Sequence, residues 1–154
     1  ADGARILPPF GLDRAVTALC ARILRSAADR AGYDPAETEV LVAVHGSSKS
    51  TASQQVAEAL VDDLTATLGM AAVTAAYIEQ PPRIAEVARR MGARSLCLPF
   101  FAARLGHVEG DIPEALAEAG FQGVLLDPMG VHPDVPALIA AALTAALTAQ
   151  EAAD

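Results

Sequence analysis

The sequence predicts an α/β fold: a four-stranded parallel sheet with helices on both faces, preceded by a strand and helix left from an earlier, similar unit. Three observations predict it. From residue 39 onward, short β-prone runs alternate with segments of helical periodicity, and such alternation builds a parallel sheet covered on both sides. The first of these runs, Val40 to Val44, is apolar without a break, the mark of a strand buried on both faces. Finally, residues 9–24 match residues 128–143 in register, Gly11 falling on Gly130 at an offset of 119, which is the size of one small domain.

Each element follows in order. After the first strand, Ser50 to Leu68 carries Val56, Leu60, Val61, Leu64 and Leu68 at helical spacing and stops at Gly69. Val73 to Ile78 is the second strand. Pro81-Pro82 opens the second helix, whose Ile84, Val87 and Met91 share a face before Gly92 ends it. Ser95 to Phe100 makes the third strand, and Ile112 to Ala119 the third helix, with Pro113 in its first turn. Gly123 to Leu126 is the fourth strand. Val135 to Leu147 is the last helix, bearing Val135, Leu138, Ile139, Leu143 and Leu147. Residues 39–154 thus form one α/β domain. Residues 1–38 read as the strand and helix that end a preceding repeat, because Pro9, Gly11, Val16, Ala18 and Leu19 fall on Pro128, Gly130, Val135, Ala137 and Leu138. With that repeat and a first residue other than methionine, the chain is expected to be a fragment of a duplicated protein.

Composition narrows the function. With 154 residues and 53% hydrophobic content, the chain can bury one real core but hardly two. A net charge of −8 leaves no basic face for nucleic acid. A polyanionic small ligand would have to find its cations among Lys49, Arg83 and Arg104. No apolar run reaches the roughly 20 residues of a membrane helix, and no signal-peptide pattern opens the chain, so a cytoplasmic location is expected. Cys20 and Cys97 lie in apolar stretches and are expected to be buried and reduced.

The chemistry collects at the ends of strands. His45 follows the first strand and opens His45-Gly46-Ser47-Ser48-Lys49-Ser50; His107 follows the third strand and opens His107-Val108-Glu109-Gly110-Asp111. Ligands of open parallel sheets bind beyond the carboxyl ends of the strands. Glu79, after the second strand, stands on the same rim. Two imidazoles and a carboxylate from successive strand ends can hold a divalent first-row ion with positions left open. Asp111 is expected to cap the helix at Ile112, the alternative being a partner that fixes the His107 tautomer. His132 is expected to be structural, since its counterpart in the repeat is Asp13. Tyr77, Phe100 and Phe101 are expected to pack the core or the cleft wall. Ser47, Ser48 and Ser50 could instead cap a helix whose free amides favour an anion, although the spacing is not that of a P-loop and no nucleophile elbow is present.

The ordered set His45-Gly46-Ser47, Glu79-Gln80-Pro81-Pro82, Pro99-Phe100-Phe101, Gly106-His107-Val108 and Asp111-Ile112-Pro113 resembles the class II tetrapyrrole chelatases of the sirohydrochlorin chelatase group (CbiX/SirB-like). The resemblance runs from about Val40 to Leu143. It implies a three-layer chelatase half-domain that works as a homodimer or fused in tandem. It also implies insertion of Co2+ or Fe2+ into sirohydrochlorin, on the way to siroheme or cobalamin, with the metal as substrate and no organic cofactor. On this resemblance His45 and His107 are metal ligands and proton acceptors, with Glu79 an acidic ligand or base. Ser47, Ser48, Lys49, Arg83 and Arg104 are then the residues to meet the tetrapyrrole. Two other functions stay open: a metal- or tetrapyrrole-binding half without turnover, and a phosphoanion-binding α/β domain that uses the Ser47 to Ser50 turn.

Overall fold

A computed structural model of the chain describes residues 6–151. Four strands, β1 (Glu39–Val44), β2 (Ala72–Tyr77), β3 (Ser95–Pro99) and β4 (Val124–Leu125), form one sheet in the order β2-β1-β3-β4. All three pairings are parallel. The helices are α1 (Arg14–Ala31), α2 (Ala52–Leu68), α3 (Ile84–Ala88), α4 (Ile112–Ala119) and α5 (Val135–Glu151). A five-residue π-turn, His107–Asp111, leads into α4.

The alternation of side chains along a strand divides the interior into two cores. Val40, Val42 and Val44 of β1, with Leu96 and Leu98 of β3, meet α1 and α2 on one face. Leu41 and Ala43 of β1, with Cys97 of β3, meet Ile84 and Ala88 of α3 and Ile112 and Leu116 of α4 on the other. The three-layer arrangement expected from the sequence is the one observed.

The N-terminal helix is a full member of this structure. Asp13 caps it, its side chain accepting the Ala15 N–H at 2.8 Å, and Val16, Leu19, Cys20 and Leu24 are wholly buried against the sheet. The strand expected ahead of it does not form between Ile6 and Pro9; the rest of that expectation falls on residues 1–5, outside the described residues. The repeat itself has a structural counterpart. Phe10–Leu12 and Met129–Val131 are both single 3-10 turns, separated by the offset of the sequence match. Their hydrogen bonds correspond one for one: Leu12 N to Pro9 O and Asp13 N to Phe10 O in the first, Val131 N to Pro128 O and His132 N to Met129 O in the second.

Some boundaries differ from expectation. β4 shrinks to two residues because it lies at the sheet edge, with Val124 and Leu125 partly exposed. The second helix is only one turn and a half, since Pro81 and Pro82 precede Arg83, whose amide is already held by the Glu86 carboxylate at 2.8 Å. No helix among the described residues is long and apolar enough to cross a membrane.

Cys20 and Cys97 are both free and fully buried, in opposite cores. Burial pushes each thiol up to about 12. Both are therefore protonated and inert in the native fold. A disulfide reagent is expected to find no thiol in the native chain and two after denaturation. Stability is also expected to fall as pH rises above about 9, where the unfolded thiols ionise and the buried ones do not, so that the unfolded state binds fewer protons. Urea titrations between pH 8 and 10.5 that gave one constant stability would contradict this assignment.

Candidate metal centre

The sheet order sets the position of the site. The chain leaves β1 toward β2 on one side and then returns past β1 to β3 on the other. The crevice where such a sheet reverses direction, at the carboxyl ends of its strands, is where ligands bind in this class of fold. His45 leaves the end of β1, and His107 lies on the connection that follows β3.

The two imidazoles meet there. Their Nε2 atoms are 3.2 Å apart, and the rings stand edge to face with centroids 4.7 Å apart. Both Nδ1 atoms are engaged elsewhere. His45 Nδ1 donates to the Gly46 carbonyl at 2.9 Å, and His107 Nδ1 is bonded to the Asp111 carboxylate. With the proton of each neutral ring fixed on Nδ1, both Nε2 lone pairs face the gap, the tautomer that binds metal. A metal–nitrogen distance of about 2.1 Å and the observed separation subtend an angle of about 100° at one ion. That angle suits two adjacent ligand positions on a first-row ion.

The loop behind His45 is held firmly. Gly46 adopts φ 75°, a conformation that favours glycine, and an added Cβ would stand 3.0 Å from the side chains of Gln80 and Tyr77. Gln80 tethers the same loop: its Oε1 accepts the Ser47 N–H at 2.8 Å while its Nε2 donates to Gln54 of α2 at 3.0 Å. The sequence offered no signal for this bridge, since Gln80 stood there only as part of a turn before two prolines.

Glu79 reaches the rim through its backbone, its N–H donating to the His45 carbonyl at 2.9 Å, and its side chain is exposed. Among the described residues no group of three or more His, Cys, Asp and Glu side chains closes on a common point. The structure thus brings His45 and His107 together and leaves Glu79 beside them. Asp111 corrects an expectation: its side chain makes no capping bond to α4 and is spent on His107 instead, because the π-turn places residues 107 and 111 on one face. His132 lies away from the site, its Nδ1 accepting the Asp134 N–H at 3.2 Å, as expected of a structural residue. Tyr77 is buried in one core, Phe100 packs against that core and Phe101 against the other.

Of the residues expected to meet a substrate, Ser48 and Lys49 are exposed and Ser47 is half-buried. Arg104 is paired with Asp127 at 2.7 Å, and the Arg83 guanidinium donates to the Ile78 carbonyl. Among the described residues, only Lys49 of the three candidate cations keeps its charged group without a partner. The turn also offers little to a phosphate. The Ser47 amide is taken by Gln80, the Lys49 amide by the Ser47 hydroxyl at 3.1 Å and the Ala52 amide by the Ser50 hydroxyl at 3.2 Å.

Comparisons with known proteins bear on the fold and the family. The CbiX family model matches residues 39–146. A solved structure of CbiX, described as the terminal enzyme for siroheme biosynthesis in denitrifying bacteria, is 45% identical with a TM-score of 0.87, over 93% of this chain and 62% of that one. The chain thus spans less than two thirds of that relative. The fold is shared with SirB from Bacillus subtilis, solved with Fe3+, at 15% identity and a TM-score of 0.64, over 85% of this chain and 53% of that one. It is shared too with a multi-domain protein from Deinococcus radiodurans described as similar to chelatases, at 22% identity and a TM-score of 0.65, over 89% of this chain and 32% of that one. No curated protein matches the chain. By its matching family model and this 45% identity, the chain belongs to the CbiX family.

Proposed function

We propose that the chain inserts a divalent metal, Co2+ or Fe2+, into sirohydrochlorin or a closely related acidic tetrapyrrole, in the cytoplasm and on the way to siroheme or cobalamin. The observation that carries this proposal is the pair of Nε2 atoms 3.2 Å apart, each freed by a bond at its own Nδ1. The 45% identity to a protein described as the terminal enzyme for siroheme biosynthesis supports it. A chelatase must hold its ion with few ligands so that the ion can leave, and must take up two protons as the pyrrole N–H groups are replaced by metal bonds. Two imidazoles provide a weak grip, and each Nε2 lone pair can accept a proton once the ion has gone. Glu79, exposed on the same rim, serves as a third ligand or as the acceptor of one proton. Ser47, Ser48 and Lys49 stand where they can meet substrate carboxylates. Anaerobic mixing of the chain with sirohydrochlorin and each metal, followed by absorbance, tests the proposal: insertion above the uncatalysed rate supports it, and none with either metal refutes it.

A second function, a half that binds metal or tetrapyrrole without turnover, is favoured by one fact, that the chain spans 62% of its CbiX relative. The same assay separates the two, since binding shifts the spectrum of the free tetrapyrrole without producing that of its metal complex. A homodimer or a tandem half would supply the facing wall of the cleft.

The Asp111 contact gives a further expectation. Asp111→Asn keeps an acceptor for the His107 Nδ1–H but loses the charge, and Asp111→Ala loses both. Removal of such an outer partner costs about 10–100-fold in metal affinity or activity. The alanine variant is expected to be the weaker of the two in Co2+ titrations, and equal affinities for wild type and both variants would remove Asp111 from the site.

A further inference from the structure

We propose that Glu58, an exposed carboxylate on α2 that takes no part in the histidine pair, fixes the tautomer of His45 through a chain of hydrogen-bonded amides. The tautomer belongs to the protein alone; its consequence for an ion rests on the metal site proposed above.

The chain can be followed bond by bond. His45 Nδ1 meets the Gly46 carbonyl at 2.9 Å. The N–H of that same peptide group, carried by Ser47, donates to Gln80 Oε1 at 2.8 Å. Gln80 Nε2 donates to Gln54 Oε1 at 3.0 Å, and Gln54 Nε2 donates to Glu58 Oε1 at 2.7 Å. Three amide groups, one from the backbone and two from side chains, therefore stand in series between an imidazole and a carboxylate.

Such a series has two self-consistent directions. A glutamine amide donates at one end and accepts at the other, and so can turn over. A peptide group next to glycine has a similar freedom, and Gly46 stands at φ 75°. In one direction the Gly46 carbonyl faces His45, the proton of the neutral ring lies on Nδ1, and the Nε2 lone pair faces His107. In the other, every amide is reversed, the Ser47 N–H faces Nδ1, and Nε2 carries the proton into the gap. An ionised carboxylate ends the ambiguity because it can only accept. Glu58 holds Gln54 with Nε2 toward itself and Oε1 toward Gln80, and this sets Gln80, the peptide and the ring in turn. Bonds aligned in this way also strengthen one another. His107 has its tautomer set directly by Asp111. Each ring is thus backed by a carboxylate, one at first hand and one through three amides.

The test replaces the carboxylate by a group of the same size that can donate as well as accept. Two-bond 1H–15N spectra of the metal-free chain, with the rings neutral, distinguish a protonated ring nitrogen from one bearing a lone pair. In the wild type His45 is expected to carry its proton on Nδ1. In Glu58→Gln the fraction in that form is expected to fall to about half, the two directions being then alike, and a metal that needs this form binds more weakly by the reciprocal, about two-fold. Gln80→Met, which breaks the chain in the middle, is expected to mix the tautomers as well, while His107 keeps its own in both variants. A wild-type His45 protonated on Nε2 overturns the proposal, and so does a tautomer unchanged in Glu58→Gln. If the tautomer shifts while Co2+ affinity stays constant, the proposal stands and the pair ceases to be the metal site.

Discussion

Replacing either His45 or His107 with alanine is expected to abolish metal insertion while leaving the fold intact. Each substitution removes one of two facing Nε2 donors and leaves the other alone in solvent, where a single imidazole competes poorly with water for a first-row ion. The expected loss is at least about 100-fold, above the range caused by removing an outer partner. Structural cost is small by comparison, because His107 is exposed and His45 only half-buried, and neither contributes to the cores. The proposal also makes a specific demand: if both residues address one ion, the double variant should be no worse than either single one. Anaerobic insertion rates for the three variants, set beside their thermal unfolding, decide the matter. Activity near wild type in either single variant would remove that histidine from the ion.

Leu24→Ala is expected to cost about 2–5 kcal/mol in stability, the range for a leucine removed from a close-packed core. A domain of this kind has only some 5–15 kcal/mol to lose. Leu24 is wholly buried between α1 and the sheet although it precedes the domain marked out by sequence. A helix belonging to another unit and resting loosely here would show a cost within about 0.5 kcal/mol, as surface substitutions do. Urea unfolding followed by far-ultraviolet circular dichroism measures the difference. Leu143→Ala, at the matched position in α5 and half exposed, is the comparison: in the single chain it should cost far less.

The strands and the histidines were legible because their signals are local. An unbroken run from Val40 to Val44 has few conformations open to it but a buried parallel strand, and a histidine placed just after such a run stands at the binding edge whatever its neighbours are. The roles of Asp111 and Gln80 were not legible. Asp111 four residues after His107 fits a helix cap equally well, and only the π-turn, which no residue pattern announced, decides for the imidazole. Gln80 acts across 33 positions on Ser47, a contact created by the pairing of β1 with β2. The state of Arg83 and Arg104 was hidden for the same reason, since their partners, the Ile78 carbonyl and Asp127, are set by how loops fold back on the sheet. For α1 the repeat was readable, but the sheet it covers was not.

β1 is the one strand whose side chains enter both cores along nearly its whole length, odd positions on one side and even positions on the other. His45 therefore sits at the tip of a keel clamped from left and right, and its loop is pinned again through Gln80. His107 is held differently: exposed at the start of the π-turn, it is bonded through its Nδ1 to Asp111, and its neighbour Val108 is buried in the second core. The two imidazoles are thus unequally enclosed, one half-buried and one exposed. If the pair holds an ion as proposed, that ion need not lose both bonds in one costly step, because the exposed ligand can let go while the half-buried one still holds. Such lability belongs to a carrier that passes its cargo on, and a pair clamped equally on both sides would have kept it.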